Sequence, residues 1–239
     1  AVKRYLKLYE SWIGGYPYTE FSIVSSPMPT GFGMPTLTYL GINVLQLPFI
    51  RDTSLGHEIL HNWWGNGVYP NYMSGNWSEG LTTFMADYAY KEKEGHEAAR
   101  IMRLGWLRDF AALQPGQDAP LSSFTSRTHG ASRIVGYNKA AMFFLMLRDH
   151  LGDAVFQRSI QGLWNVQRFK VTSWQHLQKM FEMISGKDLQ PFFTQWLDRA
   201  GAPSITIGAA KSTPINSGYG LSITLKQSAS TYQLRVPVA

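Results

Sequence analysis

Residues 57–61, which read HEILH, carry the side chains whose types and spacing are best suited to chemistry. Two histidines four residues apart lie on one face of a helix, with Cβ atoms about 5–6 Å apart, so both imidazoles can bind one metal ion. Glu58 follows the first histidine directly, where its carboxylate can take a proton from a water molecule. The motif therefore predicts a zinc hydrolase with His57 and His61 as metal ligands and Glu58 as the general base.

A catalytic zinc site needs a third protein ligand and one open coordination position. Glu79, which follows His61 after a gap of seventeen residues and opens the next predicted helix, is the best candidate. A carboxylate at that place is also favoured by the helix dipole, so it has a purely structural explanation as well. Asp52 and Asp87 are weaker alternatives as the third ligand. Asp87, eight residues after Glu79, could instead accept a hydrogen bond from a ligand histidine.

The composition limits the class of protein. Of the 239 residues, 44% are hydrophobic and 14% aromatic, which is enough for a large buried core. The chain has no cysteine, so a zinc site in it must use histidine and carboxylate ligands. The formal net charge of +6 is modest and no basic run indicates a nucleic-acid partner. No apolar run reaches the ~18 residues of a transmembrane helix.

The chain ends and the cysteine count bear on the full-length protein and its location. The chain opens on Ala1 without an initiator methionine and stops at Ala239 inside a strand-like pattern. We therefore expect additional domains in the full-length protein. The lack of cysteine fits an exported bacterial protein, so a periplasmic or extracellular location is favoured over the cytoplasm.

Helical periodicity dominates the pattern, with strands near each end. A small sheet is expected from a strand at 18–25 and one or two strands within 36–47, separated by a loop rich in Pro and Gly. Asp52, Thr53 or Ser54 can cap the helix that carries the HEILH motif. Beyond Gly201 the residues alternate, which predicts three antiparallel strands, at 204–210, 220–227 and 232–238. The other predicted helices lie at 1–13, 78–94, 96–113, 136–151, 153–166, 173–184 and 188–200.

Two longer segments resemble a known family. Residues 57–88 (HEILHNWWGNGVYPNYMSGNWSEGLTTFMADY) resemble the signature of the alanyl-aminopeptidase family of gluzincins, which also contains leukotriene hydrolase. That signature is HExxH, an aromatic stretch with W-x-G-N, and a Glu-Gly pair that opens the next helix. Residues 136–140 (GYNKA) resemble the family's Y-x-K-[GA] segment, and residues 193–203 (FTQWLDRAGAP) resemble its junction with a β-sandwich. The resemblance covers residues 18–207 approximately.

The resemblance implies an α+β fold: a mainly helical, thermolysin-like zincin domain at 1–201 with a small N-terminal sheet, then the start of a β-sandwich at 202–239. It implies a zinc metallopeptidase that hydrolyses peptide bonds through a metal-activated water, near the N-terminus of the peptide as an aminopeptidase does. His57, His61 and Glu79 would be the ligands of one zinc ion per chain. Glu58 would be the base and Tyr137 the donor to the oxyanion. An ordinary core tyrosine is the alternative for Tyr137.

The chain departs from the family pattern in the loop before the zinc helix. There the family has G-A-M-E-N, whose Glu holds the α-ammonium group of the substrate. Residues 31–36 read GFGMPT and offer no carboxylate. Zinc-dependent hydrolysis is therefore better supported than aminopeptidase specificity. The backbone of Gly33 and Met34 could still bind substrate, as an edge strand that pairs with an extended peptide.

Several alternatives stay open for the function. The same scaffold could serve as an endopeptidase, as a hydrolase of non-peptide substrates, or as a non-catalytic peptide-binding module. Arg133 and Lys139 flank Tyr137 and could bind a substrate carboxylate, although solvated charges near a helix start are the simpler interpretation. A set of aromatic residues could form a substrate wall, or could simply pack the two zinc helices together: Trp63, Trp64, Trp77 and Tyr72.

Overall fold

The computed structural model describes residues 1–28, 31–47, 50, 54–228 and 231–236. Within the chain two compact units are distinguished, Ala1–Arg199 and Ala200–Ala239. The predicted boundary at residue 201 lies next to this division.

Helices make up most of the first unit. They are α1 (Val2–Trp12), α2 (Ile42–Leu45), α3 (Ser54–Leu60), α4 (Ser78–Thr82), α5 (Ala89–Glu94), α6 (His96–Ala111), α7 (Gly130–Arg133), α8 (Ala140–Leu151), α9 (Asp153–Gln167), α10 (Trp174–Ser185) and α11 (Gln190–Leu197). Two π-helical segments, Thr83–Tyr88 and Ile134–Lys139, join α4 to α5 and α7 to α8. The helical run that was predicted to begin at 136 therefore begins at Gly130. Among the described residues, no helix is long and apolar enough to cross a bilayer.

A three-stranded mixed sheet precedes the motif helix. It consists of β1 (Ser22–Ser26), β2 (Gly31–Met34) and β3 (Leu37–Gly41), in the order β1-β3-β2. β1 runs parallel to β3, and β2 pairs antiparallel with β3, so β2 is an edge strand of the described sheet.

Two details of this region were predicted wrongly. Residues 31–34 form β2 and not a loop, because the turn at Pro35 and Thr36 folds the glycine-rich segment back onto β3. The side-chain alternation that marks a strand is missing where every second residue is glycine. Residues 42–45, predicted as strand, form α2, because a four-residue run with three apolar side chains fits either structure.

A short parallel pair ties the loop after α3 to the distal helices. β4 (Tyr69–Pro70) pairs with β5 (Val171–Thr172), which connects α9 to α10. The Trp77 indole N–H donates to the carbonyl of Thr172 at 2.7 Å, close to this pair. The segment 65–76, which is rich in Gly and Asn, is therefore fixed at its centre.

Aromatic side chains fill the core between the helices. Trp63, Trp64 and Trp77 are all fully buried. The Trp64 ring lies edge-on to Trp77 at 6.1 Å and to Trp164 at 6.2 Å. These tryptophans therefore pack the helices together, as the simpler interpretation had it, whereas Tyr72 remains 54% exposed. The mainly helical architecture with small sheets confirms the predicted α+β class.

The second unit is a β-hairpin in the described residues. β6 (Ile205–Ile215) pairs antiparallel with β7 (Gly218–Gln227). The predicted third strand is wrong for residues 232–236, and residues 237–238 lie outside the described part. The side-chain amide of Gln227 bonds both the N–H and the carbonyl of Tyr232, at 2.9 and 2.8 Å. These backbone groups are therefore occupied and unavailable for a strand ladder.

Candidate metal centre and active site

The two motif histidines lie at the end of α3. The first is inside the helix, and the second follows Leu60 in a last turn closed by the bond from the His61 N–H to the His57 carbonyl, at 3.3 Å. Their ring centroids are 4.9 Å apart. Of the three predicted caps, Ser54 is the first residue of α3, and Asp52 and Thr53 lie outside the described residues. The four-residue spacing thus brings the two rings together as the motif predicts.

Glu79 reaches the same point from α4. Its Oε2 lies 3.5 Å from His57 Nε2 and 3.3 Å from His61 Nε2. Among the described residues, these three form a group whose potential ligand atoms all lie within 4.8 Å of one another. A tetrahedral zinc ion with bonds of about 2.0–2.1 Å holds its ligand atoms roughly 3.3–3.4 Å apart. The observed spacing therefore agrees with what zinc requires.

Each imidazole is oriented by a partner behind it. His57 Nδ1 lies 2.6 Å from Asp87 Oδ2, and His61 Nδ1 lies 2.9 Å from the carbonyl oxygen of Trp64. A neutral imidazole that donates from Nδ1 presents the lone pair of Nε2 to a metal. Asp87 is thus placed as an acceptor for a ligand histidine, the second of the two roles that its spacing suggested.

The charges of the groups around these three side chains also suit a bound cation. Glu79 Oε2 is buried and has no hydrogen-bond partner among the described residues. Burial raises the pKa of the Glu79 carboxyl, but the two imidazoles outweigh it and hold this pKa well below its usual range. Burial lowers the pKa of His57, but Asp87 and Glu79 together raise it well above its usual value. A buried carboxylate oxygen left unsatisfied between two imidazole nitrogens is what a divalent cation would satisfy.

Glu58 lies between this centre and the edge strand β2. A Cβ built on Gly31 would lie 3.1 Å from Glu58 Oε1, and one on Gly33 would lie 3.0 Å from Glu58 Oε2 and 2.9 Å from His61 Cβ. The strand can approach the base so closely because both positions lack a side chain. Gly33 also accepts a hydrogen bond from Asn66 Nδ2 at 3.1 Å, and Met34 is exposed.

Tyr137 lies in the π-helical segment Ile134–Lys139, with its ring against that of His57. The two rings are nearly parallel, with centroids 6.2 Å apart. Burial, followed by the negative charges of Glu79 and Glu58, raises the pKa of Tyr137 well above its usual value, while the positive charge of Arg127 acts in the opposite direction. The phenol therefore keeps its proton at neutral pH and can act as a hydrogen-bond donor.

Comparison with known proteins agrees with this arrangement. Residues 52–196, more than half of the chain, match the profile described as "Peptidase family M1 domain". The chain belongs to peptidase family M1. This confirms the resemblance to the alanyl aminopeptidases and to leukotriene hydrolase that the motifs indicated.

Three similar proteins show the extent of the likeness. Aminopeptidase N of Caulobacter vibrioides is 28% identical over 166 residues, which cover 66% of this chain and 19% of that protein. An M1 zinc metallopeptidase from Deinococcus radiodurans, crystallised as a mutant with a Tyr-Ser-Ala substrate, has a TM-score of 0.67 at 20% identity, covering 84% of this chain and 44% of its own. Leukotriene A4 hydrolase from Saccharomyces cerevisiae has a TM-score of 0.70 at 17% identity, covering 84% and 35%. This M1 chain thus shares the fold of the two solved structures. It spans about a fifth of the length of the Caulobacter aminopeptidase N.

The M1 centre depends on a very close approach of two helices. A Cβ on Gly80 would overlap the side chain of Ala140 and would lie 3.0 Å from its carbonyl carbon. Gly80 follows Glu79, and Ala140 comes three residues after Tyr137. The absence of a side chain at one position and the small methyl group at the other therefore let the segments that carry Glu79 and Tyr137 approach each other closely.

The two cations that flank Tyr137 have different surroundings in this M1 chain. Lys139 Nζ lies 2.9 Å from Asp118 Oδ2 and donates to the Ala119 carbonyl at 3.1 Å, with both charged side chains largely buried. It is neither a solvated charge nor free for substrate, so both earlier interpretations are wrong for it. Arg133 is exposed and forms no hydrogen bond or ion pair within the described part of the chain.

Sequence reasoning missed one residue beside this centre. Gly31 was taken as a loop residue, and only the predicted pairing of Gly33 with a peptide hinted that this segment borders Glu58. Gly31 reaches Glu58 through a contact between segments that are far apart in the chain, which periodicity does not record.

Proposed function

We propose that this chain carries the catalytic centre of a zinc metallopeptidase that removes residues from the N-terminus of peptides, as an aminopeptidase does. The observation that carries the proposal is the group His57, His61 and Glu79, whose ligand atoms have the spacing of a zinc site and include a buried, unsatisfied carboxylate oxygen. Family M1 membership makes zinc the expected ion. These three side chains would hold one zinc ion per chain.

The residues around the ion have distinct tasks in this proposal. When bound, zinc polarises the carbonyl of the scissile bond and makes water more acidic. Glu58 takes a proton from the attacking water and transfers it to the leaving amine. Tyr137 donates its phenolic hydrogen to the oxyanion that forms at the carbonyl. Asp87 keeps the His57 ring in the tautomer that leaves Nε2 free for the metal.

Peptide binding is the least constrained part of the proposal. β2 is an edge strand of the described sheet and touches the base through its glycines, which supports Gly33 and Met34 as the backbone that pairs with substrate. The Gly33 carbonyl is already occupied by Asn66, so pairing would use the remaining backbone groups of the strand. The similar proteins also indicate peptide substrates. One is an aminopeptidase N, and another is a metallopeptidase crystallised with Tyr-Ser-Ala.

We further propose that residues 1–201 form the catalytic domain and that residues 202–239 begin a β-sandwich. The similar proteins are several times longer than this chain, which supports additional domains. Export from a bacterial cell stays a prediction.

The decisive experiment compares the intact protein with its Glu58→Gln variant. Metal analysis should find about one zinc ion in both, because the substitution removes no ligand. Hydrolysis of peptides with a free N-terminus should fall by at least about 10²–10⁴-fold, since that is the usual contribution of general-base catalysis. Glu94→Gln, which changes an exposed carboxylate paired with Lys91, is the matched control and should leave the rate unchanged. Activity that survives in Glu58→Gln would remove this residue from the mechanism.

The same assay separates the exopeptidase from an endopeptidase. Each peptide is offered with a free and with an acetylated N-terminus. An aminopeptidase should cleave only the free form. Equal cleavage of both forms would contradict N-terminal specificity and leave the zinc chemistry intact.

A further inference from the structure

Two asparagines connect the edge strand β2 to the helix that carries the HEILH motif. The first connection is made by Asn66, whose Nδ2 donates to the Gly33 carbonyl at 3.1 Å and whose backbone N–H donates to the His61 carbonyl at 3.0 Å. The Tyr18 hydroxyl donates to the Asn66 carbonyl at 2.7 Å. Asn66 is therefore fixed to the end of the motif helix by its backbone and to the strand by its side chain.

The second connection is made by the fully buried Asn62, at the turn that follows β2. Its Oδ1 accepts from the Thr36 N–H at 3.0 Å and from the Tyr16 hydroxyl at 3.3 Å. Its Nδ2 donates to the Ile59 carbonyl in α3 at 2.9 Å. The strand and its turn are thus each bonded to an asparagine that is itself bonded to the motif helix.

The backbone of Thr36 has an unusual conformation, with a φ of +64°. A β-branched residue rarely adopts this left-handed region, and a turn ordinarily has Gly or Asn at such a position. Conformations of this kind persist where the surrounding contacts determine them, and they are concentrated at functional sites. Here the N–H of the strained residue is the group that bonds the buried Asn62.

The two connections control how closely β2 approaches Glu58. A Cβ built on Gly33 would lie 3.0 Å from Glu58 Oε2 and 2.9 Å from His61 Cβ, so the backbone of the strand lies directly against the motif helix. A peptide that pairs with an edge strand takes its position from the backbone of that strand. A displacement of β2 by about 1 Å would therefore misplace the scissile bond relative to Glu58.

We propose that Asn62 and Asn66 are positioning residues, which hold β2 at the distance from Glu58 at which an extended peptide can pair with the strand. In this role neither asparagine touches the substrate, and each acts through the backbone of β2. This inference rests on the proposed peptidase function, because the peptide that pairs with β2 is the substrate.

Steady-state kinetics of the zinc-loaded protein with two substrates test this role. Ala-Ala-Ala has backbone groups on both sides of the scissile bond, whereas alanine p-nitroanilide has a single residue to bind. Asn66→Ala should raise KM for the tripeptide by about three- to tenfold, the usual contribution of one hydrogen bond, and KM for the anilide by less than about twofold. The value of kcat and the zinc content should stay close to those of the parent protein.

Two further variants complete the comparison. Asn62→Ala should have the same effect as Asn66→Ala, and Asn66→Ala decides alone if the buried site does not tolerate the change. Asn71→Ala removes a half-buried asparagine of the segment 65–76, whose side chain accepts from the Met73 N–H, and should change neither KM. An equal rise of KM for both substrates in Asn66→Ala, or a loss of zinc, would overturn the inference, because the asparagine would then support the metal centre.

A double-mutant cycle shows whether Asn66 acts through the strand. In Gly33→Ala the added methyl group pushes β2 away from Glu58, and the bond from Asn66 opposes that movement. The double variant should therefore show a smaller rise in KM for Ala-Ala-Ala than the product of the two single rises. A rise equal to that product would mean that the two sites are independent, which contradicts the proposed role.

The positioning role and the peptidase function fail in different ways. If the zinc-loaded parent protein hydrolyses Ala-Ala-Ala and Asn66→Ala leaves KM unchanged, only the positioning role is rejected. If the parent binds this peptide without hydrolysing it, the peptidase function is rejected, and calorimetry should still show a Kd about three- to tenfold higher in Asn66→Ala. If the parent neither binds nor hydrolyses the peptide, both are rejected.

Discussion

The two sides of the cleft are held in different ways. On the side of the proposed metal centre, α3 and α4 pack on fully buried tryptophans, and His57 and His61 each have their own hydrogen-bond partner. On the side proposed to bind substrate, β2 is an edge strand of the described sheet, tied by the hydrogen bonds from Asn66 to Gly33 and from the Thr36 N–H to Asn62. The metal geometry is therefore tied to the core, whereas the substrate contacts are not.

This difference separates chemistry from selectivity. A change on the metal side disturbs packing in the core, so stability and metal affinity should fall together. A change on the substrate side leaves the core as it is and should alter which peptide is bound. The predictions below test this division at three positions.

Of these three positions, Tyr137 is expected to show the largest effect, since its ring lies against that of His57 and its phenol is the proposed donor to the oxyanion. Tyr137→Phe keeps the ring packed on His57 and removes the oxyanion donor. We expect kcat to fall by about 10²–10³-fold with little change in KM, the usual loss for one oxyanion-hole donor. Steady-state kinetics measure kcat and KM of the variant. Its zinc content should equal that of the parent protein, which shows that the metal centre is intact. Tyr72→Phe is the comparison, because the Tyr72 phenol also feels the charge of Glu79; an equal loss there would mean that the donor has been misassigned.

A smaller effect is expected at Asp87, behind the metal. Asp87→Asn preserves the shape and removes the charge that faces His57. Zinc affinity should fall about 10–100-fold, as is usual for the acceptor that orients a ligand histidine. Competition with a chromophoric chelator measures it. Glu94→Gln alters a carboxylate on the same helical run and should have no effect; an unchanged affinity in Asp87→Asn would show that the histidine is oriented by packing alone.

The smallest effect is expected at Gly33, on the substrate side. The added methyl group of Gly33→Ala meets His61 Cβ and Glu58 Oε2, so the edge strand must move away by a few tenths of an ångström. We expect KM to rise by up to about tenfold and stability to fall by no more than about 1–3 kcal/mol. Gly105→Ala, in α6 with open space around it, should instead stabilise the protein by about 0.5–1 kcal/mol. Thermal unfolding should show the opposite stability changes of the two variants. A loss of bound zinc in Gly33→Ala would show instead that β2 supports the metal centre.

The metal side could be predicted from the sequence because its rules are local. A spacing of four residues puts His57 and His61 on one face, and a carboxylate that opens the next helix is the natural third ligand. The eight-residue spacing from Glu79 to Asp87 likewise suggested a supporting acceptor, and the structure places it against His57.

The substrate side could not be predicted, because it is built from contacts between distant segments. β2 has glycines where a strand normally shows alternating side chains, so it resembled a loop. The burial of Lys139 against Asp118, twenty-one residues earlier, has no sequence pattern either. The π-helical segments that carry Asp87 and Tyr137 have no recognisable signature either.

The packing of Gly80 against Ala140 has a consequence for how such proteins diverge. There is no room for one further methyl group where the two helices cross. A lineage that adds a side chain at residue 80 must lose the methyl group of residue 140 or separate the backbones that deliver Glu79 and Tyr137. Substitutions at these two sites should therefore be inherited as a matched pair, even though neither residue takes part in the reaction.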